Sequence, residues 1–165
     1  MEKKSKKELN RLYMSELVTV LVCGSLIYML SDSSVGQLDI RLLIPGSILI
    51  FIILESAGYW FYRFQLAENP KTDYPWVMPV FSLLKKTNLV LFFLYPLFCL
   101  YLLIIDQSML FIPMNIFGLI LYGFSILENI NYFYYNVTIG NFKTKLPSDL
   151  AIDLSNYEIT KGKKI

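Results

Sequence analysis

The chain contains 165 residues, of which 55% are hydrophobic and 17% are charged, and its mean hydropathy is +0.50. The apolar residues occur in long blocks rather than as amphipathic stripes, which argues against a soluble globular domain, a disordered chain and a nucleic-acid-binding protein. The net charge is only +2, and the absence of histidine excludes His-ligated haem, His-bearing metal centres and a His general base. This composition predicts an integral membrane protein.

Four apolar blocks predict an all-α membrane fold with four transmembrane helices, because a helical span needs ~20 mostly apolar residues. The blocks cover residues 12–30, 41–62, 89–105 and 110–135. We expect two tandem helical hairpins within a single membrane domain, 1–165. Its parts are a basic arm (1–11), hairpin 1 (12–62), an interfacial connection (63–88), hairpin 2 (89–135) and a tail (136–165).

The positive charges predict the orientation of the chain in the membrane. Fourteen of the fifteen Lys and Arg residues lie in the arm, the connection or the tail, and only Arg41 lies beside another loop. By the positive-inside rule, both termini are expected in the cytoplasm. The abundance of Lys, Ile, Asn, Tyr and Phe is compatible with an AT-rich genome, so we expect a multi-pass protein of a bacterial cytoplasmic membrane.

The connection 63–88 is not simply polar. Pro70, Pro75 and Pro79 interrupt it, and aromatic and aliphatic residues lie between them. We therefore expect this segment to lie along the inner membrane surface, anchored by Trp76.

Several residues inside the blocks bear on packing. Pro96 predicts a kink in the third span, and Gly46, Gly118 and Gly123 are typical of places where helices approach closely. The two cysteines, Cys23 and Cys99, lie within apolar blocks, where a free cysteine behaves as a small hydrophobic residue. We expect them to be unbonded.

The sequence contains a candidate internal repeat. The pattern I-L-E-x-x-x-Y occurs at 53–59 and, 73 residues later, at 126–132, each time followed by three aromatic residues. One interpretation is a duplicated hairpin, with a symmetry axis along the membrane normal. The other is chance, since aromatic clusters recur at membrane interfaces.

The repeat places an acid within each of two spans. Such an acid costs ~2.5–3.5 kcal/mol at a helix centre and is a functional candidate by default. The i, i+4, i+7 spacing puts the acid and two tyrosines on one helix face. One hypothesis is a polar pair that serves protons, a cation or a basic partner; the other is polar glue between helices. The candidate residues are Glu55, Tyr59, Tyr62, Glu128, Tyr132 and Tyr135.

The tail contains a candidate amphipathic helix. Ser148 is a suitable N-cap, and Leu146, Leu150, Leu154 and Tyr157 form one apolar stripe. The sequence leaves open whether this helix rests on the membrane, folds back on the bundle or docks a partner.

Residues 127–135, with the sequence L-E-N-I-N-Y-F-Y-Y, give the chain a resemblance to a group of uncharacterised, small four-span bacterial membrane proteins. Those proteins carry an L-E-Y-I-N-Y-F/Y-type segment after their last helix and a Lys-rich cytoplasmic tail. The resemblance covers roughly the C-terminal quarter of the chain and implies no activity. The chain departs from the pattern at Asn129, where the group has tyrosine, and at Val137-Thr138, where the group has Q-L.

No catalytic, cofactor or metal motif stands out, so we expect a non-enzymatic protein without a cofactor. The first functional hypothesis is an accessory subunit of the immunity or stress type, with the lipid bilayer and either a second copy or another membrane protein as partner. The alternative is a small proton- or cation-linked transporter that uses Glu55 and Glu128. We expect no nucleic-acid partner.

Overall fold

The computed structural model describes residues 4–31, 39–72, 74–136 and 146–162, without the side chain of Met109. Parts of the predicted arm and tail therefore lie outside the described residues. They include Lys3, the Val137-Thr138 pair and the tail lysines Lys143, Lys145, Lys163 and Lys164.

The described chain is helical, and four of its helices are long and apolar enough to cross a membrane. This confirms the all-α class and the four candidate spans. A short 3₁₀ helix, Gln107–Phe111, joins the third helix to the fourth. The α-helices are α1 (Lys6–Ser31), α2 (Ile40–Glu68), α3 (Val77–Ile105), α4 (Pro113–Phe133) and α5 (Asp149–Gly162).

Most of the predicted connection 63–88 is helical. Helix α2 continues to Glu68, and α3 already begins at Val77. Pro79 is tolerated because it lies in the first turn of α3, where no helical hydrogen bond is lost. Val77 and Phe81 are buried in a cluster with Tyr59 of α2, and the expected interfacial position of the segment stays a prediction. Trp76 remains largely exposed just before α3.

Helix α2 is the centre of the bundle. More than half of its apolar window, 56%, is buried, compared with 6% for α1. It packs most extensively against α1 and α4, whereas α3 makes sparser contacts with both α2 and α4. The large exposed apolar side chains of α1, α3 and α4 face outward, as lipid-facing residues do. Two equivalent hairpins are therefore not evident in the packing.

Helix α3 runs unbroken through Pro96. A proline lacks a backbone N–H, so the carbonyl of Phe92, four residues earlier, loses its helical partner. The hydroxyl of Tyr122 on α4 donates to this carbonyl oxygen at 2.7 Å. This interhelical bond satisfies a backbone group that would otherwise be unpaired in the apolar interior.

Helix α5 folds back on the bundle, which is one of the three positions that the sequence leaves open. Ser148 caps it, because its Oγ accepts from the backbone N–H of Ala151 at 3.1 Å. Leu150 and Leu154 are buried in a cluster with Phe133 of α4. The predicted cap and stripe are confirmed, except that Leu146 is largely exposed. We call the end of the bundle that carries α5 the terminal end.

The opposite end carries two acidic caps. Asp39 caps α2 by accepting from the backbone N–H of Arg41 at 2.9 Å, and it also pairs with the Arg41 guanidinium. Asp106 caps the 3₁₀ helix, and its hydrogen bonds with Ser108 lower the pKa of the exposed Asp106 carboxyl. Cys23 and Cys99 are both free.

Candidate functional site

The first repeat places its candidate residues in three different surroundings. Glu55 is buried where α2 meets α3, and its Oε2 accepts from Asn88 Nδ2 at 2.7 Å. Tyr59 is also buried, but its hydroxyl donates to Asp153 of α5 at 2.8 Å. Tyr62 packs edge-on against the ring of Tyr74. The three share a face of α2, yet the Tyr59 hydroxyl bonds to α5 and not to Glu55.

The candidate residues of the second repeat also lie in different surroundings. The Tyr132 hydroxyl donates to Glu16 Oε1 of α1 at 2.7 Å, instead of to Glu128 on its own helix. Tyr135 lies past the end of α4, in an isolated β-bridge with Pro147. In both repeats, therefore, the tyrosine four residues after the acid bonds to a carboxylate on another helix.

An amide network links three helices beside Glu55. The Nδ2 group of Asn88 on α3 donates both to Glu55 and to Asn129 Oδ1 on α4, the latter at 3.1 Å. All three side chains are buried. Asn88 was not a sequence candidate because it fell at the edge of the expected connection. A helix that begins at Val77 places Asn88 three turns inside it.

Glu16, Glu128 and Tyr132 form a second polar group, between α1 and α4. Glu16 lies close enough to Glu128 for their charges to repel each other, and Ser56 of α2 lies beside Glu16 and Tyr132. We call the two groups together the polar layer: Glu16, Glu55, Ser56, Asn88, Glu128, Asn129 and Tyr132.

Several oxygens of the polar layer are buried without a partner. Within the described residues, Glu55 Oε1, Asn88 Oδ1 and Glu128 Oε2 make no hydrogen bond. A buried polar atom without a hydrogen bond costs ~1–3 kcal/mol, more for a charged group. The layer is therefore only partly satisfied.

A cavity of about 230 Å³ reaches the polar layer from the terminal end. It lies between α1, α2 and the end of α4, and the first turn of α5 borders it. Glu16 and Tyr132 line it, so one edge of the layer has access to this end of the bundle. We call it the inner cavity; its polar and aromatic lining includes Lys4, Glu16, Tyr59, Trp60, Tyr132 and Asp149.

Ion pairs hold α5 over this region. Asp153 Oδ2 accepts from both Arg63 and Tyr59, each at 2.8 Å. Lys4 pairs with Asp149 Oδ2 at 2.7 Å. The acids of α5, which argue against an anionic lipid surface, instead bind basic residues of the arm and of α2. The Lys4 pair also shows that the start of α1 and α5 lie at the same end of the bundle.

The described residues contain no group of three or more His, Cys, Asp or Glu side chains arranged to hold a metal ion. The three acids of the polar layer thus belong to two neighbouring groups and do not converge on one point.

No known family model, curated protein or solved structure matches this chain. The resemblance of residues 127–135 to small four-span proteins therefore stays a prediction.

Proposed function

We propose that this chain is a small, non-enzymatic, proton-linked transporter in which the polar layer binds and releases the proton. The observation that supports it most directly is the pair of buried, unpartnered carboxylate oxygens, Glu55 Oε1 and Glu128 Oε2. Each is an acceptor that a bound proton would convert into a neutral, less costly group.

The incomplete hydrogen bonding favours this role over polar glue. Helices held together by polar side chains gain stability only when donors and acceptors are matched, at about 0.6 kcal/mol per bond. Here Asn88 donates to both neighbours while its own Oδ1 and the second oxygen of Glu55 have no partner. Intramembrane acids with such surroundings are typical of proton relays.

A proton fits the layer better than a metal ion does. Metal sites gather several ligand atoms around one point, whereas the described acids form no such group. The Tyr132 hydroxyl can pass a proton to a neighbouring acceptor, and the amide of Asn88 orients the Glu55 carboxylate by donating to it. The inner cavity supplies a route between Glu16 and the terminal end.

The proposed setting is a bacterial cytoplasmic membrane with the terminal end inside. The basis is the asymmetry of Lys and Arg, which places the arm, the α2–α3 connection and the tail on the cytoplasmic side. Lys4, Arg63 and Lys85 lie at the terminal end, where Lys4 and Arg63 contact α5 and Lys85 stacks over Tyr134.

The test is proton flux into liposomes that contain the purified chain and an internal pH-sensitive dye. A potential set by potassium and valinomycin is expected to drive proton uptake well above that of empty liposomes. Glu55→Gln and Glu128→Gln should each reduce this flux at least tenfold, because an amide cannot exchange the proton. Glu158→Gln, at an exposed position on α5, is the control and should match the wild type. Equal flux in all variants, or none in the wild type, would reject the proposal.

An accessory subunit is the second candidate, favoured by an open groove of about 570 Å³ between α2 and α3. Its α2 wall includes Ile44, Ser47 and Phe51, a heptad-like spacing with a small residue that suits a neighbouring transmembrane helix. A Phe51→Cys variant lacking Cys23 and Cys99 should then form a disulfide-linked dimer or cross-link to a partner in native membranes. A variant that stays monomeric and uncross-linked would count against this role.

A further inference from the structure

The inner cavity holds an ammonium group that belongs to the chain itself. The Nζ of Lys4 lies 2.7 Å from Asp149 Oδ2 and 4.3 Å from the centre of the Trp60 ring. A carboxylate on one side and an indole face on the other is a recognised way to bind an organic cation, because the ring face carries partial negative charge.

We call the position of the Lys4 ammonium, between Asp149 and the Trp60 ring, the seat. The charges around the seat favour the binding of a further cation. Glu16 and Asp149 line the inner cavity, and Lys4 is its only basic residue among the described lining. Lys4 is paired with Asp149, and the nearby Arg63 is paired with Asp153. The ion pairs of the described residues therefore leave Glu16, and Glu128 behind it, without a cationic partner.

The size of the inner cavity limits the solute. A volume of about 230 Å³ corresponds to about eight waters at ~30 Å³ each. This space suits an alkylammonium of a few carbons and not a large lipophilic cation. Tyr59 and Trp60 supply an apolar wall for such a chain.

We infer that the inner cavity binds the primary ammonium group of a small amine, and that Lys4 is a tethered competitor for the same seat. This inference rests on the proposed transport function and names its solute class, with the ammonium bound between Asp149, Trp60 and Glu16. Lys4 must leave the seat before the amine can enter.

The alternative role of the Lys4 contact is a latch that fastens the arm to α5. The two roles differ in what the Lys4→Gln substitution does. If Lys4 only fastens the arm, Lys4→Gln removes a contact and does not change amine binding. If Lys4 competes for the seat, Lys4→Gln vacates it and strengthens the binding of a free amine.

The test uses the full chain in mild detergent with Trp60 as the fluorescent reporter. Trp76→Phe removes the other tryptophan, which is exposed before α3. The probe is butylammonium, and 1-butanol is the neutral probe of similar size. Saturable quenching or shift of Trp60 emission is expected with butylammonium and not with 1-butanol.

Three variants in this background decide between the two roles. Lys4→Gln should strengthen butylammonium binding at least tenfold, and Lys6→Gln, at an exposed position, should leave it unchanged. Glu16→Gln together with Lys4→Gln should weaken it at least tenfold relative to Lys4→Gln alone. An unchanged Trp60 signal in the Lys4→Gln variant, or an equal response to 1-butanol, would overturn the inference.

The butylammonium-binding test and the proton-flux test can succeed or fail independently of each other. Proton flux that depends on Glu55 and Glu128, without butylammonium binding, would reject the amine and keep the transporter. Saturable butylammonium binding without any proton flux would support the seat and reject proton-linked transport.

Discussion

At the scale of single residues, the polar layer depends on a side chain that the sequence pattern did not single out. Glu55 and Glu128 were recognisable because an acid in an apolar block is rare. Asn88 was not, because its neighbours Lys85, Lys86 and Thr87 suggested a polar connection. Its role follows from three-dimensional contacts with Glu55 and Asn129, which lie 33 and 41 residues away along the chain.

We predict that Asn88→Ala destabilises the bundle by about 1–3 kcal/mol, because two interhelical hydrogen bonds are lost and the Glu55 and Asn129 acceptors lose their donor. Equilibrium unfolding in mixed detergent measures the change. Thr87→Ala is the matched control, since the exposed Thr87 hydroxyl bonds only to the Leu83 carbonyl of its own helix. Equal stability of the two variants would show that the network contributes nothing.

At the scale of helices, two features of the sequence acquire a physical reason only in the packed bundle. Pro96 was expected to disturb its helix, and the structure shows which group on α4 replaces the missing hydrogen bond. Gly118 was expected to mark a close approach, and it lies against the Arg41 carbonyl of α2 and the Tyr95 hydroxyl of α3. Neither partner is visible in sequence spacing, because each comes from another helix.

We predict that Tyr122→Phe costs about 1–2 kcal/mol in the wild type, because the Phe92 carbonyl oxygen becomes unpaired in the apolar interior. The cost should largely vanish in a Pro96→Ala background, where the alanine N–H can bond to Phe92. Unfolding of the four proteins in a double-mutant cycle measures this coupling. An unchanged cost of Tyr122→Phe in both backgrounds would show that the Tyr122 bond does not compensate for Pro96.

Glycine at position 118 should be required by sterics. A Cβ there would collide with the Arg41 backbone oxygen, which cannot move aside as a flexible side chain can. Gly118→Ala should therefore cost about 1–3 kcal/mol, as overpacking does. At Gly123 a Cβ meets no atom within 4 Å, so Gly123→Ala should be neutral or slightly stabilising through its helix propensity. Thermal unfolding of both variants in detergent makes the comparison, and similar losses would contradict the packing of α4 on α2.

At the scale of the whole molecule, hydropathy predicted the four long helices because a span must present ~20 apolar residues to lipid. Composition does not reveal the helical parts of 63–88, because the prolines and lysines there resemble a loop, although Val77 and Phe81 are core residues. The stripe of Leu150 and Leu154 predicted α5, but nothing in the stripe itself told the bundle from a membrane surface. Polar contacts with the bundle hold α5 there: Tyr59 donates to Asp153, Arg63 pairs with Asp153, and Lys4 pairs with Asp149.

Helix α5 docks at the end of the bundle where Lys4 pairs with Asp149. Leu154 is buried in the cluster with Tyr59, Phe81 and Phe133. Leu154→Ala therefore removes buried apolar area and leaves a cavity, which should destabilise the docked helix by ~2–5 kcal/mol. Because α5 has few other buried side chains, this loss should undock the helix while the four long helices stay folded. Hydrogen exchange of the α5 amides should then accelerate at least tenfold, with α2 and α4 unchanged. Ile159→Ala, at an exposed position of the same helix, should exchange like the wild type; protection of α5 retained in Leu154→Ala would mean that the ion pairs alone hold α5 in place.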